Sequence, residues 1–184
     1  MENFSETSRL FSAISFAAEK HKKQHRKGRE CIPYINHPIE VAQLLIDHGE
    51  ADCEVLMAAI LHDTIEDTDT SSKEIEDHFG ARVSELVLEL SDDKNLTKKQ
   101  RKLMQVKAAP LATRGAQAVK LADKIANVRD IAKSPPAGWT VERKQEYLEW
   151  AVAVVDGLRG VNPSLEELFD RQIELSRDAL LSLT

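Results

Sequence analysis

The chain has 184 residues, 42% hydrophobic and 30% charged, which describes an ordinary soluble globular protein long enough to bury a real core without staples. A net charge of −6 argues against a general nucleic-acid or anionic-membrane binder. It leaves room for an anionic small molecule held by a local basic cluster or a metal.

Two cysteines, Cys31 and Cys53, lack zinc-like spacing and suggest a reducing compartment rather than a disulfide framework. The start, Met1 to Glu6, has no basic region followed by an apolar core, and no stretch approaches about 18 consecutive apolar residues. The expectation is a cytoplasmic protein without signal peptide or membrane span.

In chain order, Leu10, Ile14, Ala17, Ala18 and His21 form an apolar stripe that predicts an amphipathic helix from about Ser5 to Gln24. Lys22, Lys23, Arg26, Lys27 and Arg29 then make a basic segment running into a loop with Gly28 and Pro33. It is either a solvated helix end or a phosphate-binding element. Pro38 suits the first turn of a helix, which would put His37 at or next to the N-cap, as a packing residue or one reaching a neighbouring helix. That helix runs to His48-Gly49.

The run Val55 to Leu61 is wholly apolar and predicts a buried helix over about 51–67, ending in His62-Asp63-Thr64-Ile65-Glu66-Asp67. Helical spacing puts Glu66 and Asp67 on roughly the face of Asp63. Three carboxylates so close repel at low dielectric, and a divalent cation is the usual remedy. Solvated acids at a helix end, with His62 a core histidine, is the simpler alternative.

Further helices are expected over about 71–79, opened by Ser71, over 81–90, and from Thr97 to near Pro110. In the next, about Arg114 to Ala132, Asp123 and Asn127 lie one turn apart beside small alanines. They form either a second coordinating position or an exposed salt-bridge face with Lys120 and Lys124. After the break at Ser134-Pro135-Pro136-Ala137-Gly138, Thr140 caps a helix to about Gly157, and Asn162-Pro163 opens the last. The fold class is all-α, a compact bundle of about eight to ten helices in a single domain over 1–184.

His37, His62, Asp63 and Asp123 thus lie on three predicted helices. Two imidazoles and two carboxylates suit manganese or iron better than magnesium or structural zinc, and they leave positions for the water that metal hydrolysis needs. The order His37, His62-Asp63, Asp123 resembles the H…HD…D pattern of HD-domain metal-dependent phosphohydrolases. Tyr34-Ile35-Asn36-His37-Pro38, Ala59 to Thr68, Phe79-Gly80 and Val119 to Lys124 with Asn127 are similar to the hydrolase domain of the RelA/SpoT family. Gln145 to Ala151 resembles its stand-alone members, the small alarmone hydrolases.

The resemblance implies a manganese (Mn2+) enzyme that removes the 3′-pyrophosphate of guanosine 3′,5′-bis(diphosphate), ppGpp, or of its pentaphosphate form. It makes His37, His62, Asp63 and Asp123 the metal ligands, and Glu66 and Asp67 the pair that positions or activates the attacking water. Arg26, Lys27, Asn127, Tyr147 and Arg143 match positions near the nucleotide. With no segment after Thr184 for a synthetase domain, the expectation is degradation without synthesis. Rivals are an HD phosphohydrolase acting on nucleoside monophosphates or on the 2′-phosphate of NADPH, and a non-catalytic nucleotide-binding module. No nucleic-acid or membrane partner is expected; a homo-oligomer is a possible assembly. His21, His25, His48 and His78 receive no role.

Overall fold

The computed structural model describes residues 5–28 and 30–182, which places Arg29 of the basic segment and Met1 to Phe4 outside it. Among the described residues there are ten α-helices and no strand, only an isolated antiparallel bridge between His25 and Pro33. Helices α1 (Glu6–Lys20), α2 (Asn36–Asp47), α3 (Cys53–Leu61) and α4 (Thr64–Asp67) carry the first half of the site. Helices α5 (Ser72–Phe79), α6 (Ala81–Leu90), α7 (Lys98–Ala108), α8 (Arg114–Lys133), α9 (Val141–Asp156) and α10 (Pro163–Leu181) follow, with a 3-10 turn at Ala109–Leu111. No helix is long and apolar enough to cross a membrane.

The apolar run identified in the sequence is the centre of the bundle. Every residue from Val55 to Leu61 is buried, because α1, α2, α6 and α8 all pack around α3. A helix closed in on all sides needs apolar residues all round. Asp52 caps its start, accepting from the backbone N–H of Glu54 at 2.9 Å.

Three boundaries differ from expectation, each for a local reason. The helix predicted over 51–67 is broken at His62 and Asp63, so the acidic residues ride on the separate turn α4. Side chains hold the break: His62 Nδ1 bonds the Ala59 carbonyl at 2.7 Å and the Thr64 hydroxyl bonds that of Leu61 at 2.6 Å. Helix α1 stops at Lys20 instead of Gln24, because the chain turns into a short hairpin in which Tyr34 N bonds Gln24 O and Arg26 N bonds Ile32 O. The N-cap of α2 is Ile35, so His37 lies one residue deeper than expected. Asn36 and His37 are drawn into the helix by the carbonyls of Pro33 and Tyr34.

Candidate metal centre and its cleft

The break after α3 turns His62 and Asp63 toward His37 of α2 and Asp123 of α8. His37 Nε2 lies 3.1 Å from Asp123 Oδ1 and 3.8 Å from Asp63 Oδ2. His62 Nε2 lies 2.9 Å from Asp63 Oδ2 and 3.8 Å from Asp123 Oδ1. His37, His62 and Asp123 can each bring one ligand atom within 4.8 Å of the others. These three donors converge from three parts of the chain, and Asp63 stands against both imidazoles.

A metal fits this point on chemical grounds. With its Nδ1–H given to the Ala59 carbonyl, a neutral His62 presents a bare Nε2. That nitrogen is buried and makes no aligned hydrogen bond, although Asp63 is close. An imidazole oriented through its other nitrogen and pointing a lone pair at two carboxylates is the usual second-layer arrangement of a metal-binding histidine.

The carboxylates are held from behind. Tyr34 donates its hydroxyl to Asp63 Oδ2 at 2.5 Å, Lys124 pairs with Asp123 Oδ2 at 2.8 Å, and Asn127 donates to Asp123 Oδ1 at 2.6 Å. Burial works against the Asp123 carboxylate, but Lys124 and then the two imidazoles hold it well below the usual carboxylate range. Burial likewise opposes an imidazolium at His62, yet the adjacent Asp63 charge raises it to about 9. Lys124, the partner of the Asp123 carboxylate, is not found by sequence reading. An exposed salt-bridge face with Lys120 and Lys124 is one of the two expectations from sequence, yet both lysines are buried. The signal was there in the surrounding apolar residues of α8, whose helix is buried on nearly every side.

Glu66 and Asp67 are differently placed. Glu66 receives the Arg101 guanidinium at 3.1 Å and the Asp92 N–H at 3.2 Å. The Asp67 carboxylate reaches solvent and has no hydrogen bond or ion pair among the described residues. Partial burial raises both pKa values, and Asp63 adds to the rise.

The expected nucleotide contacts lie around the same cleft. Arg26 crosses to α8, bonding Asp130 and Asn127, and lies over the Tyr34 ring at 5.8 Å. Lys27 is exposed on the same loop and acts electrostatically on Asp67 and Lys98. Arg143 stacks its guanidinium 4.4 Å over Trp139. Tyr147 stands between Trp139 and Trp150, and burial pushes its hydroxyl up to about 12.

Helix α7, read as merely basic and exposed, faces this cleft. Lys102 and Lys124 lie 4.9 and 4.7 Å over the Trp150 ring, whose N–H bonds the Lys102 carbonyl at 3.0 Å. Burial and then the charges of Arg143, Lys27 and Arg101 lower Lys98; burial and then Lys98 lower Lys102. None of Lys27, Lys98, Lys102 and Arg143 has an ion-pair partner among the described residues. Which helix faces meet across space is not written in local sequence, so this rim was illegible there.

A family model described as the HD domain matches residues 13–149. The chain belongs to the HD-domain family. Among the relatives of this HD-domain chain is the mouse guanosine-3′,5′-bis(diphosphate) 3′-pyrophosphohydrolase MESH1, 53% identical over 171 residues, covering 92% of this chain and 96% of the relative. The human protein of the same name is 54% identical, covering 89% of this chain and 92% of its own length. A solved structure of a metazoan SpoT ortholog, described as hydrolysing ppGpp and acting in starvation responses, superposes with a TM-score of 0.88. It is 43% identical, over 91% of this chain and 94% of that one.

Proposed function

We propose that this protein is a manganese-dependent ppGpp 3′-pyrophosphohydrolase, also acting on the pentaphosphate form, and that residues 1–184 work as one hydrolase domain. One observation carries the reading beyond the names of the relatives. Beside the acidic two-imidazole cluster stand Lys27, Lys98, Lys102 and Arg143, cations without ion-pair partners among the described residues, and the aromatic residues Trp139, Tyr147 and Trp150. A purine nucleotide bearing two diphosphates offers complementary chemistry to each part.

His37, His62, Asp63 and Asp123 would hold the metal. A divalent cation there supplies Lewis-acid charge and acidifies water near neutral pH. The carboxylates divide the remaining work. Glu66, fixed by Arg101 and the Asp92 N–H, orients the attacking water. Asp67, with its pKa raised and its carboxylate without a partner among the described residues, takes the water's proton. The water oxygen forms a bond to the phosphorus nearest the ribose 3′-oxygen. The bond from that phosphorus to the 3′-oxygen breaks, the 3′-oxygen gains a proton, and GDP and pyrophosphate separate. Lys27, Lys98, Lys102 and Arg143 bind phosphate oxygens, while Arg26, Asn127 and Tyr147 line the nucleoside side.

The test is turnover of ppGpp by metal-stripped protein, with and without Mn2+. GDP and pyrophosphate formed only with the metal are the expected products. No turnover with manganese, iron, cobalt or zinc would defeat the reading. Turnover of NADPH or a nucleoside monophosphate instead would move it to another HD phosphohydrolase.

A further inference from the structure

His21 has no part in the chemistry derived so far, and by sequence it needed none. In the structure it is only 2% exposed. It closes α1, its backbone N–H bonding the Ala17 carbonyl at 2.9 Å, and its ring is directed inward. Nδ1 lies 2.7 Å from Gln24 Oε1. Gln24 Nε2 in turn donates to the Asp67 carbonyl at 2.7 Å.

This chain of contacts assigns its own protons. A backbone carbonyl only accepts, so the end of the Gln24 amide facing Asp67 is the NH2 group. The end facing His21 is therefore the oxygen, and Nδ1 of His21 must carry the hydrogen. Nε2 is then a bare acceptor in the neutral ring, and it is buried with no hydrogen-bond partner among the described residues. A leucine would fill the same niche without burying an unpaired nitrogen. Packing alone does not explain a histidine here; the Nδ1–H does.

The ring has a second contact. Its centroid lies 4.9 Å from that of Tyr34, whose hydroxyl donates to Asp63 Oδ2 at 2.5 Å. One buried imidazole thus touches both routes to the acidic centre, through Gln24 to the last residue of α4 and through Tyr34 to Asp63. Helix α4 is a single turn, too short to hold itself. Arg101 and the Asp92 N–H hold its Glu66 and Lys94 holds the Thr68 carbonyl, and the Gln24 amide is the side chain that holds Asp67 itself.

We infer that His21 is a positioning residue for the acidic turn: its Nδ1–H fixes Gln24, Gln24 fixes the Asp67 carbonyl, and its ring face seats Tyr34 against Asp63. The inference rests on the reading of Asp67 as the group that takes the water's proton. It makes His21 act through other residues and not on the substrate.

The test compares His21→Leu, His21→Asn, His21→Gln, Gln24→Leu and the His21→Leu/Gln24→Leu double variant. The asparagine amide nitrogen can occupy the place of Nδ1, and that of glutamine the place of Nε2. His21→Leu and Gln24→Leu should each lower kcat on ppGpp by about 10–100-fold, the usual cost of losing a supporting contact, with KM within about twofold. The double variant should be no worse than His21→Leu, because the hold of Gln24 on Asp67 is already lost there. His21→Asn should recover most of the loss and His21→Gln should not. In metal-free protein, amide exchange of residues 64–68 should quicken in the two leucine variants and stay slow in His21→Asn.

Wild-type kcat and exchange in a folded His21→Leu or in Gln24→Leu would overturn the inference. So would recovery by glutamine in place of asparagine. If His21→Leu does not fold, Gln24→Leu decides alone, since Gln24 is only partly buried on a loop. If wild-type protein turns over no ppGpp, the functional reading fails separately, and the exchange pattern still decides the brace.

Discussion

At the scale of single residues, Glu66 and Asp67 are neighbours with opposite surroundings, and their substitutions should differ. Asp67→Asn removes the proton acceptor and should lower kcat by about 10²–10⁴-fold with little change in KM or Mn2+ affinity. Glu66→Gln keeps hydrogen-bonding capacity toward Arg101 and the Asp92 N–H, so its loss should be smaller; steady-state kinetics with calorimetric Mn2+ titration separates the two. His62 carries a pH prediction. In metal-free protein its pKa lies at about 9, raised by Asp63 against the effect of burial, so the ring is protonated at neutral pH. A metal requires the neutral ring, so binding must expel that proton. Mn2+ affinity should therefore rise as pH increases from 7 toward 9. Calorimetry at pH 7 in two buffers of different ionisation enthalpy should show proton release, and His62→Ala should abolish that part of it.

At the scale of elements, the hairpin between α1 and α2 is held against the linker before α9. Ala137 N bonds the Lys27 carbonyl at 2.9 Å. A Cβ on Gly28 would collide with Ser134 Oγ and lie 3.1 Å from the Ser134 carbonyl oxygen. Gly28→Ala should push away the loop bearing Arg26 and Lys27 and raise KM for ppGpp by about tenfold. Adding Ser134→Gly, which removes Oγ and Cβ, should recover most of that loss, as read from KM of the single and double variants. The same element shows the limit of local reading. The basic charge of 22–27 was visible in sequence, but its continuation as a helix was not real. The Tyr34–Gln24 backbone bond that replaces the helix joins residues ten apart, and helical periodicity is blind to such pairings.

For the whole molecule, the apolar core and the metal centre are separable. Leu45, Met57, Leu61, Leu121, Ile125 and Phe169 are fully buried without help from a metal. Metal-stripped protein should stay helical by circular dichroism and melt cooperatively. An Mn2+ excess about a hundredfold above Kd should stabilise it by about 2.7 kcal/mol, because the cation binds only the assembled centre. His37→Ala should abolish that rise in melting temperature.

The sequence by itself determined the helical class, most helix starts and the four candidate ligands. The class and the helix starts follow from short-range rules, apolar spacing and capping side chains such as Ser71, Thr97 and Asn162, whereas the ligand set comes with the resemblance of His37, His62-Asp63 and Asp123 to the HD pattern. Only the tertiary structure decided that His62 and Asp63, at the end of the apolar run, meet His37 and Asp123. It alone buried Lys124 behind Asp123, turned α7 toward the cleft and gave His21 a partner. These outcomes depend on contacts among α1, α2, α4, α7, α8 and α9 that form as the bundle packs. Burial and electrostatic pairing between distant residues exist only once the chain has closed on itself.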